Sequence, residues 1–209
     1  SESTPSTLKF IDLFCGIGGF HQALKNINGE CVFACDIDEK CRAVYEENYH
    51  ITPESDITTI NIAAIPPFDV LCAGFPCQPF SQAGHGKGFK DARGTLFYDV
   101  ALMLKARKPD AFFLENVRGL IRHGYNEHEP VTLNGEELKG VGSTLGRILN
   151  MLFSADPEVG LGYYYPDIDK NDPRYIAPGI FLVRASDHSL PQHRPRVFII
   201  GFKKDKNNK

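Results

Sequence analysis

Cys77 stands between two prolines in Gly74-Phe75-Pro76-Cys77-Gln78-Pro79-Phe80-Ser81. Proline fixes its own φ, so a thiol braced this way is held in place. It also follows the apolar run Phe68 to Ala73. A cysteine at the end of a buried strand reads as an exposed nucleophile, with a structural cysteine in a rigid turn as the alternative. Glu115 and Asn116 close a second apolar run, Ala111 to Leu114. If the two runs are neighbouring strands, the acid and the thiol face one crevice and one substrate. A glutamate in apolar surroundings has a raised pKa and can serve as an acid. Arg194 and Arg196 alternate in Gln192-His193-Arg194-Pro195-Arg196. Two planar guanidinium forks there suit a base edge or a phosphate, although a lone pair of this kind is more often solvated.

A second group points to a bound nucleoside. Asp12-Leu13-Phe14-Cys15-Gly16-Ile17-Gly18-Gly19 follows the first apolar run with a G-x-G-G turn, where missing side chains let backbone approach a ligand. It is neither the dinucleotide G-x-G-x-x-G nor a phosphate-binding P-loop. Alone, it is equally the mark of a structural turn. Asp36 lies 18 residues beyond Gly18 at the end of the second apolar run, where an acid can accept from both hydroxyls of a ribose. Asp56-Ile57 adds an acid for an adenine amino group and an apolar face for its ring. A nucleoside with no demand for phosphate contacts indicates S-adenosylmethionine rather than NAD or ATP.

These residues must be positioned by alternating strands and helices. Apolar runs at 8–14, 31–37, 68–73 and 111–114 predict strands, and helical spacing at 20–27, 38–48 and 95–108 predicts the helices between them. Strands apolar throughout indicate a parallel sheet covered on both faces. The predicted fold class is therefore α/β, a doubly wound, mostly parallel, Rossmann-like sheet, with ligands at the carboxyl ends of its strands. Further on, a helix is expected over 141–153 and strands over 179–186 and 197–202, the last one antiparallel. The stretch 160–178, rich in Tyr, Pro and Asp, reads as a surface insertion. The polar, glycine-rich stretch 78–94 reads as a functional loop. The expected organisation is a disordered segment 1–7, one domain over 8–202, and a basic tail 203–209.

Composition narrows the classes. With 209 residues, 42% hydrophobic and 23% charged, the chain suits one ordinary domain and excludes a disordered tail, a collagen-like fibre or a coiled coil. No apolar run reaches a membrane span and the start is not a signal peptide, so a soluble, cytoplasmic protein is expected. The net charge of −3, more negative still without the basic tail, argues by itself against a free-standing duplex binder. The six cysteines contain no C-x-x-C pair, so no metal is expected. Cys31, Cys35 and Cys41 read as small buried hydrophobes, without disulfides.

Taken in order, Phe10 to Gly19, Asp36, Ser55-Asp56-Ile57-Thr58, Gly74 to Ser81, Glu115-Asn116-Val117 and Gln192 to Arg196 resemble the DNA cytosine-5 methyltransferase family. The likeness is to its bacterial restriction-modification members and runs from about Leu8 to Phe202. The resemblance implies an S-adenosylmethionine pocket of Phe14, Gly16, Gly18, Gly19, Asp36, Ile37, Asp56, Ile57 and Leu96, with S-adenosylhomocysteine as product. It implies a catalytic set of Cys77 as nucleophile, Glu115 at the ring nitrogen and Arg196 on a flipped cytosine, with Pro76, Asn116 and Arg194 beside them. Gln78, Ser81 and Lys87 would belong to a loop closing over duplex DNA. Family members continue past the final strand into a target-recognition region. A missing segment or a partner chain carrying that region is therefore expected, and its absence would account for the acidic balance. Two other readings stay open: a cofactor-binding regulatory module, and a tRNA cytosine-5 methyltransferase.

Overall fold

The computed structural model describes residues 6–78, 92–166, 169–183 and 195–203. Its first half alternates β1 (Lys9–Leu13), α1 (Gly19–Lys25), β2 (Glu30–Cys35), α2 (Glu39–Tyr49), β3 (Val70–Gly74), α3 (Leu96–Arg107) and β4 (Ala111–Val117). A small hairpin, β5 (Thr132–Leu133) and β6 (Glu136–Glu137), precedes α4 (Ser143–Phe153). Strands β7 (Tyr175–Ala177), β8 (Ile180–Val183) and β9 (Arg196–Phe202) complete the sheet.

Seven strands pair in the order β2-β1-β3-β4-β9-β8-β7. The first four are parallel, while β9 is antiparallel to β4 and β8, and β7 is antiparallel to β8. Five strands therefore point one way, and β7 and β9 run against them. The mostly parallel sheet with an antiparallel last strand is as the sequence predicts.

Alternation along the strands sorts the core into two layers. Ile11, Leu13, Leu71, Ala73, Phe112 and Leu114 face α3 and α4. Phe10, Ala34, Val70, Cys72 and Ala111 face the other way, toward Leu24 of α1 and Tyr45 of α2. The helices start where polar side chains satisfy their free amides. Asp38 accepts from the Lys40 and Cys41 amides to open α2, and Thr95 accepts from the Tyr98 amide to open α3.

Three expectations change. β4 runs three residues past Leu114, because antiparallel pairing with β9 continues through Glu115↔Phe198 to Val117↔Arg196. The stretch 160–178 is not a surface insertion throughout. Tyr163 is buried with its hydroxyl donating to the Pro109 carbonyl (2.8 Å), Tyr164 exchanges two backbone bonds with Phe202, and Tyr175–Ala177 forms the sheet edge. Cys41 is only half-buried, whereas Cys31 and Cys35 are buried as expected, and all six cysteines are free thiols. Residues 184–186 of the strand expected over 179–186, residues 1–5 of the N-terminal segment and the tail beyond Lys203 lie outside the described residues.

Candidate active site

The parallel strands bring the expected residues to one edge. Gly74, the last residue of β3, pairs directly with Glu115 of β4, and Cys77 follows three residues later. A Cβ at Gly74 would stand 3.7 Å from Oε2 of Glu115 and 3.8 Å from the Phe14 carbonyl, so three chain segments converge at this point. The other carboxylate oxygen, Oε1, accepts from Nε of Arg196 at 2.8 Å, with the two side chains 31% and 26% exposed. Glu115 is therefore ion-paired and partly solvated, not the acid in an apolar setting that the sequence suggests. Among the described residues the terminal nitrogens of Arg196 have no hydrogen-bond partner.

Cys77 is half-buried, and burial holds its thiol above the usual thiol range. The resting side chain at neutral pH is the thiol. Burial pushes Cys31 and Cys35 up to about 11 and about 12, and Cys15 and Cys72 higher still. Pro76, beside Cys77, is exposed. Asn116 is 5% exposed and works on the backbone: its Nδ2 donates to the Phe75 carbonyl (2.9 Å) and its Oδ1 accepts from the Val117 amide (2.7 Å). It ties the end of β4 to the segment that carries Cys77, which is a positioning role. Gln78 is exposed and also binds backbone, its Oε1 accepting from the Leu96 amide at 2.9 Å at the head of α3. Arg194, Ser81 and Lys87 lie outside the described residues.

At the neighbouring strand ends, Phe14 and Gly16 both take positive φ, 51° and 54°. A bulky residue rarely adopts that conformation, and such strain collects at functional sites. The Asp36 carboxylate accepts from the Gly16 amide (2.7 Å) and the Asp38 amide (2.8 Å), which fixes it over the turn. Among the described residues, no atom lies within 4 Å of where a Cβ at Gly16 would stand, and Ile37 is 73% exposed next to Asp36. Asp56 accepts from the Thr58 hydroxyl (2.7 Å) and amide (2.9 Å), which lowers its pKa and opens a 3₁₀ turn at Ile57–Thr59. An aspartate set over a glycine turn, open space beside Gly16 and an exposed isoleucine fit a nucleoside cofactor. Gly18 also makes room for Tyr49, because a Cβ there would overlap that ring.

A family model for C-5 cytosine-specific DNA methylases matches residues 8–142. The chain belongs to this family. Curated relatives include the type II methyltransferases M.HpaII of Haemophilus parainfluenzae, 42% identical over 97% of this chain, and M.HhaI of Haemophilus parahaemolyticus, 38% identical over 96%. The chain spans about half the length of these relatives, 49% and 50%. Among solved structures it is similar in fold to a putative DNA modification methyltransferase of an E. coli prophage (TM-score 0.61, 24% identity, 95% of this chain and 47% of that one). It is similar also to the S. pombe Dnmt2 methyltransferase (TM-score 0.58, 21% identity, 95% and 52%).

This methylase-family chain also holds groups that sequence reasoning passed over. Asp12 is 1% exposed on β1 and receives a hydrogen bond from the Tyr45 hydroxyl of α2 (3.1 Å). That hydroxyl lies 2.7 Å from Nδ1 of His21 in α1 and 3.6 Å from the Cys31 thiol. His21 stacks on Tyr49 with centroids 3.8 Å apart, and the Tyr49 hydroxyl donates to the Gly18 carbonyl (3.0 Å). Burial pushes Asp12 up to about 8 against the pull of the Tyr45 bond, and the charges of Asp36 and Glu115 add to the rise. The available signal was a charged residue inside an otherwise apolar strand. Asp99, in the first turn of α3, is a second such acid, raised by burial and by the neighbouring Asp56. A shallow concavity at the opposite edge, between the end of α3 and Leu161–Tyr163, contains none of the expected residues.

Proposed function

We propose that the chain carries the catalytic half of an enzyme that methylates C5 of cytosine in duplex DNA with S-adenosylmethionine. The observation that supports it best is the shared edge. Cys77 follows β3, the Glu115–Arg196 pair sits at the adjoining ends of β4 and β9, and the open turn at Gly16 with Asp36 lies on the other side of Gly74. Membership of the C-5 cytosine methylase family and kinship with type II methyltransferases support the same reading.

Cytosine C5 is a poor nucleophile, so the ring must be activated first. Cys77 gives up its proton to solvent, and attack of the thiolate on C6 forms a C–S bond and moves electron density toward C5. Glu115, held at Oε1 by Arg196, supplies a hydrogen bond or proton at N3 where charge develops. The cofactor supplies an electrophilic methyl group when bound. Asp36 would hold its ribose, Ile37 and Ile57 its adenine, and Asp56 the adenine amino group. Loss of the C5 proton with expulsion of Cys77 then returns the free thiol and 5-methylcytosine. Reaching C6 requires the base to leave the helix stack, and Arg196, whose terminal nitrogens have no partner among the described residues, would hold it.

The test is transfer of tritiated methyl to duplex DNA by the chain alone and with the remaining half of M.HpaII supplied in trans. Transfer in either arm that Cys77→Ser abolishes supports the reading. No transfer in both arms, with no covalent adduct on DNA carrying 5-fluorocytosine, overturns it.

A further inference from the structure

The sheet register places Asp12 at a particular point. Asp12 pairs with Ala34 of β2 and with Cys72 of β3, and Cys72 pairs with Phe113 of β4. Asp36, Gly74 and Glu115 each lie two residues further along those strands, and alternation puts them on the same face as Asp12. Asp12 therefore sits beneath the line joining Asp36 to Glu115, lower by one pleat repeat, about 7 Å. The chain above it on β1 turns away at Phe14, whose φ is 51°. Under the reading above, a methyl group passes from the cofactor's sulfonium to the base between those two acids.

The groups around Asp12 can form a donor chain. With its Nδ1 as donor, His21 serves the Tyr45 oxygen, and the Tyr45 hydroxyl donates to Oδ2 of Asp12. Burial, then the charge of Lys25, lowers the pKa of His21, which favours a neutral ring that brings no positive charge to the cluster. Cys31, Cys72 and Cys15 face Asp12 from β2, β3 and the turn, and burial keeps all three as thiols. No salt bridge reaches Asp12 among the described residues. The carboxyl is thus buried without a counter-charge, yet the hydrogen bonds around it point toward a negative charge.

We propose that Asp12 is a buried counter-charge specific for the sulfonium form of the cofactor, giving up its proton when S-adenosylmethionine binds but not when the uncharged thioether product does. The inference rests on the cofactor reading above. It makes Asp12 a specificity-determining residue that touches neither ligand, acting through charge across the end of the sheet. The sign follows from electrostatics. A cation favours the carboxylate, so binding S-adenosylmethionine lowers the pKa of Asp12, and by reciprocity its affinity gains as pH rises through the range where Asp12 ionises. A positive charge within about 10 Å at an effective dielectric near 20 moves a carboxyl by roughly one pH unit. Near pH 7.5 that corresponds to release of about half a proton, since Asp12 starts from about 8.

The test is calorimetric titration of the full chain with S-adenosylmethionine and with S-adenosylhomocysteine at pH 7.5, in two buffers of different ionisation enthalpy. The α-amino groups of both ligands titrate in this range, so the readout is the difference between wild type and Asp12→Asn. Wild type should release about half a proton more with the sulfonium ligand than with the thioether, and Asp12→Asn should remove that excess. The ratio of the two affinities should rise up to about tenfold from pH 6 to pH 9 in wild type relative to Asp12→Asn. Tyr45→Phe, which keeps the ring, should leave less excess release at pH 7.5 and restore it at higher pH. Equal proton counts for the two ligands in wild type, or an excess that survives Asp12→Asn, overturn the inference while leaving the cofactor reading intact. Failure of both ligands to bind overturns both.

Discussion

Replacing Asp12 by asparagine should stabilise the fold at neutral and alkaline pH. Asp12 is raised from 3.8 to about 8 in the folded state. A group whose folded pKa is raised contributes stability that is fully present below its unfolded pKa and lost as pH rises through the folded one. Between those limits the unfolded chain ionises first, at about 1.36 kcal/mol per pH unit. Wild type therefore loses about 4 kcal/mol from pH 5 to pH 8 through this residue, and asparagine, which does not titrate, loses none. The amide brings a fixed cost of its own. Its oxygen can still accept from Tyr45, but its NH₂ group replaces the oxygen that faces the His21 backbone, at about 1–3 kcal/mol and independent of pH. The variant should thus be near wild type at pH 5 and about 2–4 kcal/mol more stable at pH 8. Urea unfolding at pH 5, 6, 7 and 8 measures the change in the difference, which does not depend on the fixed cost. If that difference moves by less than about 1 kcal/mol over the range, Asp12 is ionised in the folded protein and the account of its burial fails.

On DNA carrying 5-fluorocytosine, the adduct should map to Cys77, and its rate of formation should climb with pH beyond neutrality, because burial keeps the thiol protonated there; mass spectrometry of trapped protein across pH 6–10 checks both. Asn116→Ala removes one buried and one part-buried hydrogen bond and strands the Phe75 carbonyl, which should cost about 2–4 kcal/mol in urea unfolding and slow trapping more than Asn116→Asp does. Gly18→Ala places a methyl group in the Tyr49 ring at a residue with φ of 99°, so its affinity for S-adenosylhomocysteine by calorimetry should fall while adduct formation at saturating cofactor stays close to wild type.

Much of the edge was readable because parallel, apolar strands leave little freedom. Once Phe10 to Phe14, Cys31 to Cys35, Phe68 to Ala73 and Ala111 to Leu114 are strands of one sheet, Asp36, Cys77 and Glu115 fall at their carboxyl ends by counting. The Glu115–Arg196 contact was not readable in the same way. It depends on β9 lying antiparallel to β4 in a register that sets Val117 against Arg196, and no local pattern encodes that offset. For the same reason Arg196 looked like a free fork for a ligand when one of its nitrogens is already committed. The edge strand β7 was hidden because three residues with tyrosine and proline neighbours carry too little alternation to stand out. At Gly18 the packed fold adds a reason that the local pattern does not show: the missing side chain makes room for Tyr49, 31 residues away.

Asp12 shows the same limit from the other side. An acid one residue from the end of an apolar strand is visible in the sequence, but its meaning lies in partners on α1, α2 and β2 that only the packed sheet assembles. A carboxyl raised to about 8 is a standing cost to the fold at neutral pH, and a leucine or asparagine there would remove it. The physical reason for carrying such a cost is a bound state in which the charge is wanted. A sulfonium cofactor presents one positive charge that its product lacks, and the acid beneath the strand ends sits where that charge would be felt from below. Stability lost by the empty fold and discrimination gained by the loaded one would then be two readings of one carboxyl group, and asparagine should exchange the second for the first.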